Sequence, residues 1–178
     1  MRVLGVDPGT RFLGYGVLEI DGPNTQCLAW GTLEAGKSRE IHQRLFLLHQ
    51  SLGEVVDRWH PDQMAIEEPF VAPQRGAKSA IAVGQAQAVA LMLAAASNMT
   101  VHRYGPSQVK AAVANYGAGN KAQIQRAVQL VLGLNPSESN AMGEDASDAL
   151  AIGLCHIQYS RTASITGLVA GQYGGRNR

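Results

Sequence analysis

Four carboxylates stand at the ends of predicted secondary-structure elements, where they could converge on one cation site. Asp7 closes the apolar run RVLGVD, and Glu67 closes the run QMAIE. Asp145 and Asp148 are three residues apart at the start of a predicted helix, a spacing that puts both on one face. A charge at the end of a buried strand is costly unless it is paired or bound to a metal ion. The pattern indicates a metal site built from acids that are distant along the chain.

Each acid also has a simpler interpretation. Asp7 could be the turn former that precedes Pro8 and Gly9. Acids in the first turn of a helix suit the helix dipole, and Glu144, which lies off the face shared by its two neighbours, is expected to be solvated. Glu68 follows Glu67 directly and must point to the opposite face of the strand. The pattern alone leaves open which of these two glutamates faces the site.

Oxygen ligands without a Cys or His cluster are typical of sites for Mg²⁺ or Mn²⁺ rather than for zinc. The five histidines show no ligand spacing, and Cys27 and Cys155 are expected to be free thiols in a reducing compartment. Two such ions, about 3.5–4 Å apart, would activate a water and stabilise the departing oxygen of a phosphodiester. The predicted chemistry is two-metal-ion phosphodiester hydrolysis.

The charge distribution is more informative than the net charge of +1. Residues 1–69 hold six Lys and Arg against ten acids, whereas residues 70–143 hold six against one acid. Residues 144–148 add three acids, and residues 149–178 carry three arginines and no acid. A basic region beside clustered acids is what a phosphate-binding face around a cation site needs, although solvated helix faces would give the same count.

The elements that must position these acids begin with a meander. Turn signals separate three predicted strands, which would pair antiparallel, at residues 2–7, 14–20 and 26–33. Ser38 is expected to cap an amphipathic helix that runs to about Trp59. The next strand, 63–67, follows a β-α-β passage and so lies parallel to an earlier strand. Asp7 and Glu67 would then emerge at the same edge of the sheet, where open α/β sheets place their sites.

The rest of the chain combines predicted helices with one more strand. We expect helices over about 78–97, 106–115, 120–132 and 144–160, and a strand over 99–104. The order predicts an α/β fold in which helices cover one mixed sheet. Residues 1–160 are expected to form a single domain, and residues 161–178 a flexible basic tail.

Residues 79–101 carry no charge, but glutamines, a glycine, a serine and an asparagine interrupt the run. A packed helix is therefore favoured over a membrane span. The small-residue face formed by Ala82, Ala86 and Ala90 could pack on the sheet or form an interface with another chain. No apolar signal-peptide core follows Arg2, and a cytoplasmic location is expected.

Three strings in this order identify a family resemblance: VDPGTR at 6–11 followed by GYG at 14–16, AIE at 65–67, and DASDALA at 145–151. The chain closely resembles the RuvC-type Holliday junction resolvases over most of residues 1–157. The resemblance implies a ribonuclease-H-like fold with a five-stranded mixed sheet, and a homodimer that nicks four-way DNA junctions symmetrically in recombination and repair. It also implies a partnership with the RuvA–RuvB branch-migration complex.

The family's metal-binding acids fall on Asp7, Glu67, Asp145 and Asp148, so the resemblance selects Glu67 over Glu68. It also implies DNA contacts, by an aromatic residue that stacks on bases and by basic residues near the cut phosphate: Phe70, Arg75, Lys78, Lys110 and Lys121. Lys121, at a helix start after a glycine-rich loop, is expected to neutralise charge on the phosphate and so to assist catalysis. Arg11, in the turn after Asp7, is a weaker candidate. The family often has an amide where Glu68 stands.

Three other functions fit parts of the pattern. An actin-like phosphotransferase or ATPase shares the turn DPGT at 7–10 but needs a second such loop and about twice this length. A DNA-binding module without catalysis is disfavoured because all four candidate ligands are present. Ribonuclease H could use the same acids, and only the detailed strings and the basic loops favour the resolvase over it.

Overall fold

A computed structural model describes residues 1–37, 39–68, 76–114, 121–135 and 142–173, apart from the side chains at 76, 79, 114, 121 and 164–173. Five strands form one sheet: β1 (Arg2–Asp7), β2 (Phe12–Asp21), β3 (Asn24–Glu34), β4 (Gln63–Glu67) and β5 (Thr100–Tyr104). Five helices flank it: α1 (Ile41–Trp59), α2 (Gly76–Ala96), α3 (Pro106–Ala114), α4 (Lys121–Leu132) and α5 (Glu144–Tyr173).

The strand order is β3-β2-β1-β4-β5. β1 pairs antiparallel with β2, and β2 pairs antiparallel with β3. β4 lies parallel to β1 and to β5. The predicted meander and the mixed five-stranded sheet are confirmed. Gly22, at φ 54°, makes the hairpin turn between β2 and β3 possible without strain.

Helix α1 forms because its apolar residues recur at helical spacing. Leu48, Leu52 and Val56 are buried against the sheet. The helix begins after Glu40, whose backbone N–H donates to Gln43 Oε1 at 3.3 Å. Ser38, the predicted cap, lies outside the described residues. The helix ends at His60, which adopts the left-handed conformation at φ 44° immediately before a proline.

The sheet separates two hydrophobic clusters, and strand alternation assigns each residue to one of them. Leu4 and Val6 of β1 pack with α1 and α2, whereas Val3 packs with α3, α4 and α5. In β4, Ala65 lies on the α5 side, and its neighbours Met64 and Ile66 lie on the α1 side. The odd-numbered residues of β1 and β4 therefore face α5.

Helix α5 differs most from expectation, because it continues to Tyr173 and not to about residue 160. The predicted helix end is wrong. The glycines of the tail suggested fraying, but no proline interrupts residues 161–173. Arg161 is held at the β2–β3 turn, where its Nη2 donates to Pro23 O at 2.9 Å and Thr25 Oγ1 at 3.1 Å. Residues 174–178 of the predicted tail lie outside the described residues.

Helix α2, which carries no charge after Lys78, packs on the protein's own core. Ala86 and Ala90 are fully buried within the chain, so packing on the protein's own core accounts for these two residues of the small-residue face, whereas Ala82 is partly exposed. Within the described chain, no helix combines the length and apolarity needed to cross a bilayer.

Candidate active site at the sheet edge

The parallel pairing of β1 and β4 brings Asp7 and Glu67 to neighbouring positions. Val6 lies opposite Ile66, and the next residue of each strand is the acid that ends it. Adjacent strands are about 4.8 Å apart. Both acids continue the face that turns toward α5, because Ala65 lies on that face two residues before Glu67. Glu68 follows outside the strand, and its backbone N–H donates to Tyr104 O at 2.8 Å.

The start of α5 crosses the sheet beside this pair. Asp7 lies opposite Gly14 of β2, and a Cβ built on Gly14 would overlap the carbonyl oxygen of Asp145 and lie 3.1 Å from its Cβ. The glycine is thus what allows the helix to approach. A Cβ on Gly143 would lie 3.7 Å from Oγ1 of Thr32, the β3 partner of Gly14. Asp7, Gly14 and Thr32 lie side by side across β1, β2 and β3, and Asp145 is therefore next to them.

Asp148 lies one helical turn after Asp145, and Ala149 beside it packs on Gly5, two residues before Asp7 on the same strand face. All four acids are half-buried, whereas Glu144 is exposed as expected. The backbone thus carries the four acids to one corner of the sheet. In the part of the chain that the structure describes, no three His, Cys, Asp or Glu side chains converge closely enough to cage one ion.

The donor chemistry at this corner fits a hard divalent cation. Four carboxylates can supply oxygen ligands to Mg²⁺ or Mn²⁺, and no cysteine or histidine lies at these positions. The backbone brings the four acids to this corner, and their side chains would have to rearrange to close around an ion.

Comparison with known proteins identifies the family. The profile of the family described as "Crossover junction endodeoxyribonuclease RuvC" matches residues 3–156. The chain belongs to this family. Curated RuvC proteins from Dehalococcoides mccartyi and Thermomicrobium roseum are 40% and 41% identical to it, each over 93% of this chain and 98% of the relative.

A solved RuvC structure has the same fold. The RuvC of T. thermophilus in complex with a Holliday junction substrate superposes with a TM-score of 0.82 at 32% identity, covering 92% of this chain and 96% of that one. The family and the fold that the sequence predicted are both confirmed.

Two predicted DNA contacts of this RuvC-family chain are exposed lysines. Lys78 lies in the first turn of α2. Lys110 lies on α3, which begins directly after β5, at the edge where Tyr104 pairs with Glu67. Arg11, the weaker candidate, lies over the ring of Phe12, with 4.6 Å from Cζ to the ring centroid.

Three predicted residues cannot be placed by their side chains. Lys121 is the first residue of α4, and its side chain lies outside the described residues. One turn later Gln125 donates to Met142 O at 2.7 Å, so the start of α4 is close to the segment that enters α5. Phe70 and Arg75 also lie outside the described residues, and their roles stay predictions.

Sequence reasoning missed a buried polar network farther along α5. His156 is only 1% exposed; its Nδ1 lies 2.7 Å from Tyr104 Oη and its Nε2 lies 2.6 Å from Gln63 Oε1. Ser160 Oγ lies 3.3 Å from the same Nε2. The ring of His102 stacks on His156 at 4.3 Å between centroids. The network joins α5 to β4 and β5.

The hydrogen-bond partners define the state of this histidine. Burial, followed by the nearby His102, lowers the pKa of His156 to about 4, so the ring is neutral at pH 7. Burial is also the main cause that raises the pKa of Tyr104 to about 12, so its hydroxyl keeps its proton. Tyr104 then donates to Nδ1, and Nε2–H donates to Gln63. No local spacing in the sequence could reveal this, because the partners are 52 and 93 residues away.

Proposed function

We propose that this RuvC-family chain cuts four-way DNA junctions by metal-dependent hydrolysis, with Asp7, Glu67, Asp145 and Asp148 as the metal ligands. The observation that carries the proposal is the meeting of two parallel strand ends, each closed by an acid, with the acidic first turn of a helix. A structural role as helix caps would explain the acids of α5 but not the adjacent pair on β1 and β4.

The acidic and the basic residues at this corner are proposed to have different roles. When bound, two Mg²⁺ or Mn²⁺ ions would supply an activated water and stabilise the leaving oxygen. The acids hold opposite sides of the site, two from the sheet and two from the helix. Lys110 and the first turn of α4, including Lys121, offer positive charge and backbone N–H groups to the phosphate.

Recognition of the junction rests on residues around the site. Lys78 and Lys110, with Arg75, are proposed to contact the DNA backbone, and Phe70 to stack on bases. When one phosphate contact is removed, the slope of the logarithm of the binding constant against the logarithm of the salt concentration should become shallower by about one. Lys110→Gln should have this effect, whereas Arg58→Gln, near the far end of α1, serves as the charge-matched control.

A second copy of the chain is the proposed partner of α2. Its outer side exposes Ile81 at 61% and Met92 at 59%, with Ala88 between them and no charged residue between Lys78 and Arg103. A junction has two equivalent strands to cut, and a two-fold dimer places one site at each. The cytoplasmic location and the RuvA–RuvB partnership stay predictions.

The dimer is tested by sedimentation. Ile81→Glu should lower the apparent mass to that of the monomer, because a buried unpaired charge is costly. Leu130→Glu alters an equally apolar residue, 74% exposed on α4, and should leave the mass unchanged. An unaffected Ile81→Glu variant would exclude this face as the interface.

The function is tested with a synthetic four-way junction, a linear duplex and an RNA–DNA hybrid, each with and without Mg²⁺ or Mn²⁺. Paired nicks only in the junction, and only with the metal ion, are expected. Asp7→Asn should abolish cutting and keep junction binding, whereas the control Asp57→Asn, on the exposed side of α1, should keep both cutting and binding. Cleavage of the hybrid would instead support ribonuclease H, and normal cutting by Asp7→Asn would refute the ligand assignment.

A further inference from the structure

Helix α5 touches the sheet at close quarters and is then held by hydrogen bonds farther along. A Cβ on Gly5 would overlap Ala149 O and lie 3.0 Å from Gly153 N, so helix and strand backbones are in contact there. Beyond this crossing point, His156 bonds to Gln63 of β4 and Tyr104 of β5. The helix is therefore attached to the sheet at two places, the backbone crossing at Gly5 and the hydrogen bonds of His156.

The two acids of α5 lie on the other side of the crossing from His156. At about 1.5 Å per residue, His156 is about 7.5 Å beyond the middle of the contact, and Asp148 and Asp145 are about 4.5 and 9 Å before it. A rotation of α5 about Gly5 would therefore move the acids by about as much as it moves His156. A misplacement of about 1 Å in a catalytic site can cost on the order of a hundredfold in rate.

We propose that His156 is a positioning residue for the candidate metal site: its bonds to Gln63 and Tyr104 set the angle of α5 and so the distance of Asp145 and Asp148 from Asp7 and Glu67. Gln63 and Glu67 belong to the same five-residue strand. The strand that carries one acid of the sheet is thus the strand to which the far part of the helix is bonded. This inference rests on the proposed function of the four acids.

The network is specific in a way that apolar packing is not. A neutral imidazole has one donor and one acceptor nitrogen, so only one arrangement of Gln63 and Tyr104 around it satisfies both. Leucine side chains at the same place would slide with small changes in energy, whereas breaking a buried hydrogen bond leaves a polar atom unpaired. His102 stacks on the ring from the remaining side.

The test measures Mn²⁺ affinity by calorimetry and junction affinity in EDTA. His156→Leu should weaken Mn²⁺ binding by roughly tenfold and change junction affinity in EDTA by less than about twofold, because only the metal ligands move. Val56→Ala, a buried change on the opposite face of the sheet, is the control for loss of stability alone and should keep Mn²⁺ affinity.

A second variant guards against unfolding. Gln63→Leu/His156→Leu removes both partners of the bond to β4 and leaves Tyr104 Oη as the group of β5 that loses its partner, so part of the stability can return. Mn²⁺ binding should stay weak because the angle is no longer set. Wild-type Mn²⁺ affinity in this double variant, or in folded His156→Leu, would overturn the positioning role. Asp145→Asn separates the two proposals: if it binds Mn²⁺ normally, the ligand assignment fails as well.

Discussion

The two faces of the sheet are built on different principles. The face covered by α1 and α2 is an apolar cluster of leucine, valine, methionine and alanine side chains. The face covered by α5 has an apolar cluster of its own and, in addition, backbone contacts at Gly5 and Gly14, a buried histidine network, and the candidate acids. The first needs only the correct volume, and the second needs atoms at fixed positions. Stability and chemistry are therefore expected to respond differently to changes on the two faces.

The largest effect is expected from Gly14→Ala. The new Cβ would overlap the backbone oxygen of Asp145, which cannot rotate away, so α5 must shift. We expect a loss of about 3 kcal/mol of stability and a fall of roughly a hundredfold in cleavage per folded molecule. Urea unfolding and single-turnover cleavage measure the two quantities. A variant with wild-type cleavage would contradict the close approach of α5 to Gly14.

Leu52→Ala tests the other face at similar cost in stability. Leu52 is fully buried in the apolar cluster, and its truncation should lower the free energy of unfolding by about 3 kcal/mol. Cleavage per folded molecule should be unchanged, because the acids are on the opposite face. If cleavage falls along with stability, the two faces of the sheet are not independent.

Acid pH should destabilise the α5 face. The pKa of His156 is lowered to about 4 from an unfolded value of about 6.5, so the unfolded chain binds the proton first. Stability is therefore full above pH 6.5 and falls as the pH drops toward 4. Between pH 7 and 5 this amounts to about 2 kcal/mol. In His156→Leu, the free energy of unfolding should depend less on pH. It is measured by urea unfolding at pH 7 and pH 5, and an equal loss in the wild type and the variant would exclude the histidine as the cause.

The smallest effect is expected from Gly53→Ala on α1. A Cβ there would lie 3.8 Å from Leu93 Cδ2, an ordinary contact, and alanine favours the helix. A gain of about 0.5–1 kcal/mol is expected. The same substitution is thus predicted to stabilise one face and to disrupt the other, which a thermal melt of both variants compares directly.

The apolar face is also the one that sequence patterns describe well. The stripe of α1 and the parallel placement of β4 follow from periodicity and connection rules, and these sufficed to bring Asp7 and Glu67 to one edge. Alternation along β4 then puts Glu67 on the face toward α5, in agreement with the choice implied by the resemblance.

The α5 face was harder to predict, because its contacts join residues far apart in the chain. The bond between Gln63 and His156 leaves no trace in local spacing. Glycines in β1 and β2 signal close approach, but not which helix approaches. The end of α5 was misjudged because a glycine-rich tail resembles a frayed one, and helix propensity is only a weak guide near a chain end.

The contact of Arg161 with the β2–β3 turn has a practical consequence for where the protein can be shortened. A truncated form ending at residue 160 would keep all five strands and all four acids. It would lose the Arg161 guanidinium, which donates to Pro23 O and Thr25 Oγ1 at the β2–β3 turn. Fusion partners and deletions are therefore better placed after Arg161, so that the β2–β3 turn stays bonded to α5, the helix that carries Asp145.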